Sequence, residues 1–154
     1  MFRALDIFQA VRTKKNNAMF LIVGEGAQAE QLKQYASKNG LAESVQFLGR
    51  RDDVNSLMMV FNVFFMPSLY EGLPVVEVEA QAAGLRCVIS DKVPAINLIN
   101  RMSIVPLSES DNKWSEIILE EDSFKRESAT QMVIDNNYDI TTEAKKLEEF
   151  YLGL

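Results

Sequence analysis

The chain has 154 residues, 16 basic against 22 acidic side chains and a net charge of −6, with no histidine and a single cysteine. That balance excludes a nucleic-acid-binding face resting on bulk positive charge. The census also removes His-based triads, the commonest general base, an internal disulfide and most zinc sites. A hydrophobic share of 47% and a charged share of 25% fit one globular domain over residues 1–154. No run approaches the roughly 18 apolar residues of a membrane span, and the lone cysteine points to a reducing, cytoplasmic setting.

Residues 3–15 carry Leu5, Phe8 and Val11 at helical spacing, with Ala4 and Ile7 alongside, and read as an amphipathic helix rather than a signal peptide. The apolar run 19–23, closed by Gly24, is expected as a strand buried on both faces. A helix over 27–38 stops before Asn39-Gly40. A strand at 45–48 ends at Gly49, and Asp52 or Asp53 is placed to cap a helix running to about Val60. A third strand spans 63–66, a loop 68–73, and a helix begins near Pro74 and stops at Gly84. Strands at 87–89 and 103–105 follow, then helices over 114–120, 124–133 and 142–151. This alternation predicts an α/β fold with a doubly wound, Rossmann-like parallel sheet. Such a sheet normally opens with its central strand, whereas this chain opens with a helix, so its first strand is expected to be missing.

Two stretches carry candidate chemistry. Gly24-Glu25-Gly26-Ala27-Gln28-Ala29 sits between a strand and a helix and fits the G-x-G-x-x-G/A pattern. It is open to three readings: a tight turn without ligand, a loop bordering a nucleotide-sugar site, or a dinucleotide site. Against the last, Glu43 precedes its strand and Asp52 lies too far along to serve as the ribose acid. The second stretch runs from Pro67 to Ala80. Glu71 ends a strand and loop at the carboxyl edge of the sheet, where α/β folds bind ligands. Gly72 permits close backbone approach. A helical wheel over 74–84 groups Val75, Val76, Val78, Ala82 and Ala83 on one side, with Glu79 among them and Glu77 and Gln81 opposite. Glu79 is thus expected on the apolar face, as a rim carboxylate or as an acceptor for ligand hydroxyls.

PSLYEGLPVVEVEAQAAGLRCVISD (67–91) resembles the E-x7-E region of family-4 retaining glycosyltransferases. FLIVGEG (20–26), VQFLGRRDDV (45–54) and YDITTEAKKLEEFY (138–151) resemble further pieces of that family in the same order. The resemblance implies a GT-B enzyme, of which this chain is the nucleotide-sugar-binding domain and the acceptor-binding domain is absent. It implies that Glu71 contacts the donor sugar as the catalytic carboxylate and that Glu79 binds the ribose. Amides of Gly72, Leu73 and Val75 would border the sugar and diphosphate, Gly24 and Gly26 the same site, and Gly49 and Arg50 the base. No metal or other cofactor is implied, because side-chain cations neutralise the diphosphate, and the complete enzyme would work in the cytoplasm or at its membrane surface.

The family's basic pair precedes the first helix, and the chain begins after that point. Weak nucleotide binding, no transfer and a tendency to self-associate are therefore expected of this chain alone. Glu77 and Arg86 also depart from the pattern, at positions expected to tolerate solvent. The rival readings are a non-catalytic nucleotide-binding or assembly module and, behind it, a dinucleotide-dependent oxidoreductase. Of the remaining residues, the methionines with Phe61, Phe64 and Phe65 are expected as core filling, Cys87 as an inert buried thiol, and Trp114 as the anchor of a surface helix. Arg50-Arg51-Asp52-Asp53 reads first as a solvated turn and cap, with Arg50 its functional member.

Overall fold

The computed structural model describes residues 1–120 and 129–153. Its elements run α1 (Phe2–Lys14), β1 (Phe20–Val23), α2 (Ala29–Lys38), β2 (Val45–Gly49), α3 (Val54–Met58), β3 (Val63–Met66), α4 (Val75–Ala82), β4 (Arg86–Ser90), β5 (Met102–Val105), α5 (Asp111–Leu119), α6 (Thr130–Asp135) and α7 (Ile140–Leu152). All observed pairings are parallel, β1 with β2 and β3 with β4 with β5. This is the α/β architecture that the alternation predicts. Of the helix expected over 124–133, residues 124–128 lie outside the described residues. α5 starts three residues ahead of Trp114 because Ser110 caps it, its Oγ accepting from the Lys113 amide at 3.2 Å.

Helices cover both faces of the β3-β4-β5 sheet. Strand alternation sends Val88 to one side, against Ile7 of α1 and Trp114 of α5. It sends Cys87 and Ile89 to the other, against Met58 of α3 and Ala80 of α4. Leu5, Phe8 and Val11 of α1 pack with Leu32 and Ala36 of α2 over β1 and β2. α1 thus belongs to two clusters at once. Phe8, Phe20, Phe65 and Trp114 follow in a chain of ring contacts with centroids 5.3, 6.0 and 5.6 Å apart, and each such contact contributes about 0.5–1.5 kcal/mol beyond area burial. Trp114 is the anchor expected of it, fully buried with its Nε1 donating to the Pro106 carbonyl at 3.3 Å.

The sheet is not continuous: β1-β2 and β3-β4-β5 form separate ladders. β1 is consequently half-buried along its whole length, not buried on both faces as expected, whereas β4, paired on both edges, is buried at every residue. The methionines also divide. Met58 and Met66 are core, but Met1, Met19, Met59 and Met132 are exposed.

Arg86 does not sit in solvent. It is buried at the start of β4 and donates from Nη1 to the Ile117 carbonyl at 2.8 Å and from Nη2 to the Ile118 carbonyl at 2.6 Å. These are last-turn carbonyls of α5, that of Ile117 also accepting from the Glu120 amide at 3.4 Å, and the guanidinium caps that helix end from the neighbouring strand. Glu120 lies 3.8 Å from it but is 64% exposed, and a pair so open to water contributes little. Arg86→Met is therefore predicted to cost about 2–3 kcal/mol, the scale of hydrogen bonds from a charged donor. Glu120→Gln should cost under about 0.5 kcal/mol. Urea denaturation of both variants checks the contrast, and equal losses would contradict it.

Candidate functional site

Parallel strands bring their carboxyl ends to one edge, and there the β1 and β2 ends are tied by the Gly24 amide, which donates to the Gly49 carbonyl at 2.8 Å. Both glycines have positive φ, 122° and 64°, a region that disfavours side chains. The chain leaves Gly49 through Arg50 to Asp53 and enters α3. Asp53 occupies the N-cap position but makes no cap bond. Its carboxylate is held instead by Arg51, with Nε to Oδ1 at 2.7 Å and Nη2 to Oδ2 at 2.6 Å. This bidentate pair holds the Asp53 carboxyl below its ordinary range, which corrects the expectation of a simple aspartate cap. Arg50 is left outside the pair.

α4 departs in part from the hydrophobic wheel: Val78 is buried and Ala82 and Ala83 pack against core clusters as the wheel has it, but Glu77 and Gln81 turn inward and Val75, Val76 and Glu79 outward. Glu77, Val78, Ala80 and Gln81 are its buried residues, while Val75 is 57% exposed and Glu79 is exposed. The reason lies in the loop after β4. Glu77 Oε1 accepts from the Ile96 amide at 2.8 Å, and Gln81 Oε1 accepts from the Leu98 amide at 2.7 Å. Gln81 Nε2 donates to the Ile96 carbonyl at 2.5 Å. Two side chains one helical turn apart satisfy the backbone from half-buried Ile96 to buried Leu98, as a strand edge would. Ala80, with no side chain beyond Cβ, lies between them against Leu85 and Cys87. A wheel scored on hydrophobicity cannot register what that backbone requires. Glu79 is thereby turned out of the core.

The outward face of α4 closes a cleft of about 660 Å³ lined by Val23, Gly24, Arg50, Arg51, Asp52, Val54, Asn55, Val76 and Glu79. The volume is in the range of small-molecule sites. Three of the residues singled out in the sequence, Gly24, Arg50 and Glu79, line it together; Gly49 does not line it and is tied to it only through the bond from the Gly24 amide. The side chains of Arg50 and Glu79 have no hydrogen-bond or ion-pair partner among the described residues. Val23, Val54 and Val76 supply apolar walls, and Arg51, Asp52 and Asn55 further polar groups. No sequence pattern points to Asn55, whose part depends on where α3 begins.

Gly26, Glu71, Gly72, Leu73 and Val75 do not line this cleft. Glu71 is half-buried on the loop that leads into α4, flanked by exposed Leu69, Tyr70 and Leu73. The Ser90 hydroxyl donates to the Ser68 carbonyl at 2.5 Å, tying the base of that loop to the end of β4. The Val75 amide is taken by the Leu73 carbonyl at 2.9 Å, so it is not the open donor expected of it.

Glu77 is fully buried, and its Oε2 has no hydrogen-bond partner among the described residues. Burial pushes its carboxyl above the ordinary value, against the opposing effect of the Ile96 amide. The Cys87 thiol is pushed up to about 12, first by burial and then by Glu77, in line with an inert thiol. Among the described residues no group of three or more His, Cys, Asp or Glu is arranged to hold a metal ion, and no helix is long and apolar enough to cross a membrane.

Comparison with known proteins places this site in context. The family model for glycosyl transferases group 1 matches residues 1–118. EpsF of Bacillus subtilis (strain 168), named as a glycosyltransferase, is 41% identical over 116 residues, covering 71% of this chain and 29% of that protein. An Escherichia coli UDP-Gal:alpha-D-GlcNAc-diphosphoundecaprenol alpha-1,3-galactosyltransferase is 37% identical over 76 residues, covering 49% of this chain and 20% of that protein. Among solved structures, Anabaena Alr3699/HepE in complex with UDP superposes with a TM-score of 0.75 at 22% identity, over 98% of this chain and 45% of that one. The chain thus spans less than a third of the length of these curated relatives.

The buried carboxyl of Glu77 sets a pH dependence of stability. A carboxyl whose folded value is raised favours the folded state while protonated. That contribution is lost as pH rises from the ordinary value of 4.5 through the raised folded value. Glu77→Gln, which keeps an acceptor for Ile96 and carries no charge, is predicted to remove the decline and to be the more stable protein at neutral pH. Urea melts of both proteins between about pH 4 and 8 test this; parallel curves would contradict it.

Proposed function

Because this chain belongs to the glycosyl transferases group 1 family, we propose that it is the donor-binding GT-B domain of a family-4 enzyme that transfers a sugar, with retention, from a nucleoside diphosphate. The observation that supports this most is the convergence of Gly24, Arg50 and Glu79 on one cleft, with both charged side chains unengaged. A carboxylate accepts two donors at once, which suits a ribose diol. Arg50 and the turn at Gly49 suit the base, and the apolar walls suit its faces. Family membership leaves the dinucleotide reading without support.

Glu71, outside the nucleotide cleft and on the loop before α4, is assigned to the donor sugar. Gly26 and the Gly72-Leu73 turn border the same donor, and side-chain cations with helix amides, rather than a metal, meet the diphosphate. Acceptor binding falls to a separate domain, with the complete enzyme acting in the cytoplasm or at its membrane surface. The non-catalytic module remains the rival, and Glu71 separates the two readings. In a protein that carries both domains, Glu71→Ala should lower turnover far more than it weakens nucleoside-diphosphate binding, since it removes a contact used mainly in the transition state. Absence of transfer by the two-domain protein would favour the module.

The nucleotide assignment is tested on this chain directly. Glu79→Gln is predicted to weaken binding of uridine or guanosine diphosphate by about 1–3 kcal/mol, the scale of a hydrogen bond to a charged group. Because Glu79 is exposed, the same change should leave stability within about 0.5 kcal/mol. Calorimetric titration with both nucleotides gives the answer, and an unchanged affinity would remove Glu79 from the ribose.

A further inference from the structure

The β3-β4 ladder closes where Met66 pairs with Ile89, and the residue after Met66 is Pro67, which has no amide with which to extend it. At that point a side chain takes over from the backbone. Ser90, the last residue of β4, is fully buried, and its Oγ donates to the Ser68 carbonyl at 2.5 Å. The same oxygen accepts from the Lys92 amide at 3.2 Å. That local bond orients the hydroxyl and leaves its proton for Ser68. The end of β4 is itself anchored from the β5 side. The Asp91 amide donates to the Val105 carbonyl at 3.1 Å, and Asp91 Oδ1 accepts from the Leu107 amide at 2.8 Å. Past Ser68 this support ends. Among the described residues no hydrogen bond joins residues 69–72 to another element, and Leu69, Tyr70, Gly72 and Leu73 are exposed. Burial resumes at Pro74, where α4 begins.

We propose that Ser90 is a positioning residue for Glu71: its bond to Ser68 fixes the backbone path that carries the Glu71 carboxylate to the donor sugar. The proposal rests on the assignment of Glu71 to that sugar. The Glu71 side chain has no hydrogen-bond or ion-pair partner among the described residues, so its place is set by its backbone. That backbone has two fixed ends, Ser68 and Pro74, and Ser90 supplies the first. The anchor is rigid, because β4 is paired on both edges and buried at every residue. Its chemistry is also specific. A hydroxyl at this position accepts from Lys92 and donates to Ser68 at once, whereas alanine keeps the strand but makes neither bond. A displacement of about 1 Å in a reacting group can cost about a hundredfold in rate, so a loose loop would lower turnover. Ser90 is buried and does not line the nucleotide cleft. Its influence on the reaction therefore runs through Glu71, and it should vanish when the Glu71 carboxylate is absent.

Two measurements test it. In the 154-residue chain, nitrogen-15 relaxation of Ser90→Ala should show the backbone order parameters of Leu69, Tyr70, Gly72 and Leu73 falling below about 0.6, while Val78 and Val88 stay near about 0.85. Loop values already that low in the unaltered chain, or unchanged by Ser90→Ala, would overturn the proposal. So would a fall shared equally by α4 and β4, which would make Ser90 a general support of the fold. In a protein that carries both domains, assayed with a panel of uridine and guanosine diphosphate hexoses, Ser90→Ala should lower kcat at least about tenfold. The donor KM should change less than about twofold. In a Glu71→Ala background the same change should lower kcat less than about twofold further. Losses that multiply in the double variant would overturn the proposal, because Ser90 would then act independently of Glu71. If Glu71→Ala alone leaves kcat intact, the assignment of Glu71 to the sugar fails, and the order parameters still decide whether Ser90 holds the loop.

Discussion

The rotation of α4 about its own axis is the constraint on which the candidate site depends. The backbone at half-buried Ile96 and buried Leu98 must find hydrogen-bond partners, and Glu77 and Gln81 are the groups that meet it. Once those two side chains point inward, Ala80 between them meets the sheet and Val75, Val76 and Glu79 point outward. An unpaired carboxylate oxygen at Glu77 is tolerated to achieve this. The loop after β4 therefore determines which of two nearby glutamates faces the cleft.

Much of this was legible in the sequence, and the failures share a cause. Short apolar runs closed by glycine located β1 and β2, because a positive φ at Gly24 and Gly49 is a local demand. The spacing of Leu5, Phe8 and Val11 located the buried stripe of α1 for the same reason. The wheel over α4 misplaced both Glu77 and Glu79, and Arg86 was assigned to solvent. In each case the deciding partner lies 15 to 32 residues away in sequence, at Ile96 or at Ile117 and Ile118. Local periodicity carries no information about backbone groups contributed from such distances. The capping role of Asp53 failed more locally, since Arg51 offers it a charge-assisted, bidentate alternative.

The cleft lies at the carboxyl ends of β1 and β2, whose ladder is separate from that of β3, β4 and β5. The cleft draws on the ends of β1 and β2, on α3 and on α4, elements on both sides of the break. Its geometry therefore depends on contacts that hold the two ladders together: α1 against α5, the ring chain from Phe8 to Trp114, and Arg3, which bonds the Asp111 carboxylate and the Glu109 carbonyl. Those are side-chain contacts, whereas each ladder is held internally by backbone bonds.

The central claim is that Gly24, Arg50 and Glu79 form one nucleotide site while Glu77 is structural. Backbone NMR titration of the 154-residue chain with uridine or guanosine diphosphate tests it most directly. The account predicts saturable shift changes centred on Gly24, Gly49, Arg50, Asn55 and Glu79, with Cys87, Val88 and Leu98 unmoved. Changes confined to residues outside the cleft, or none at millimolar nucleotide, would contradict it.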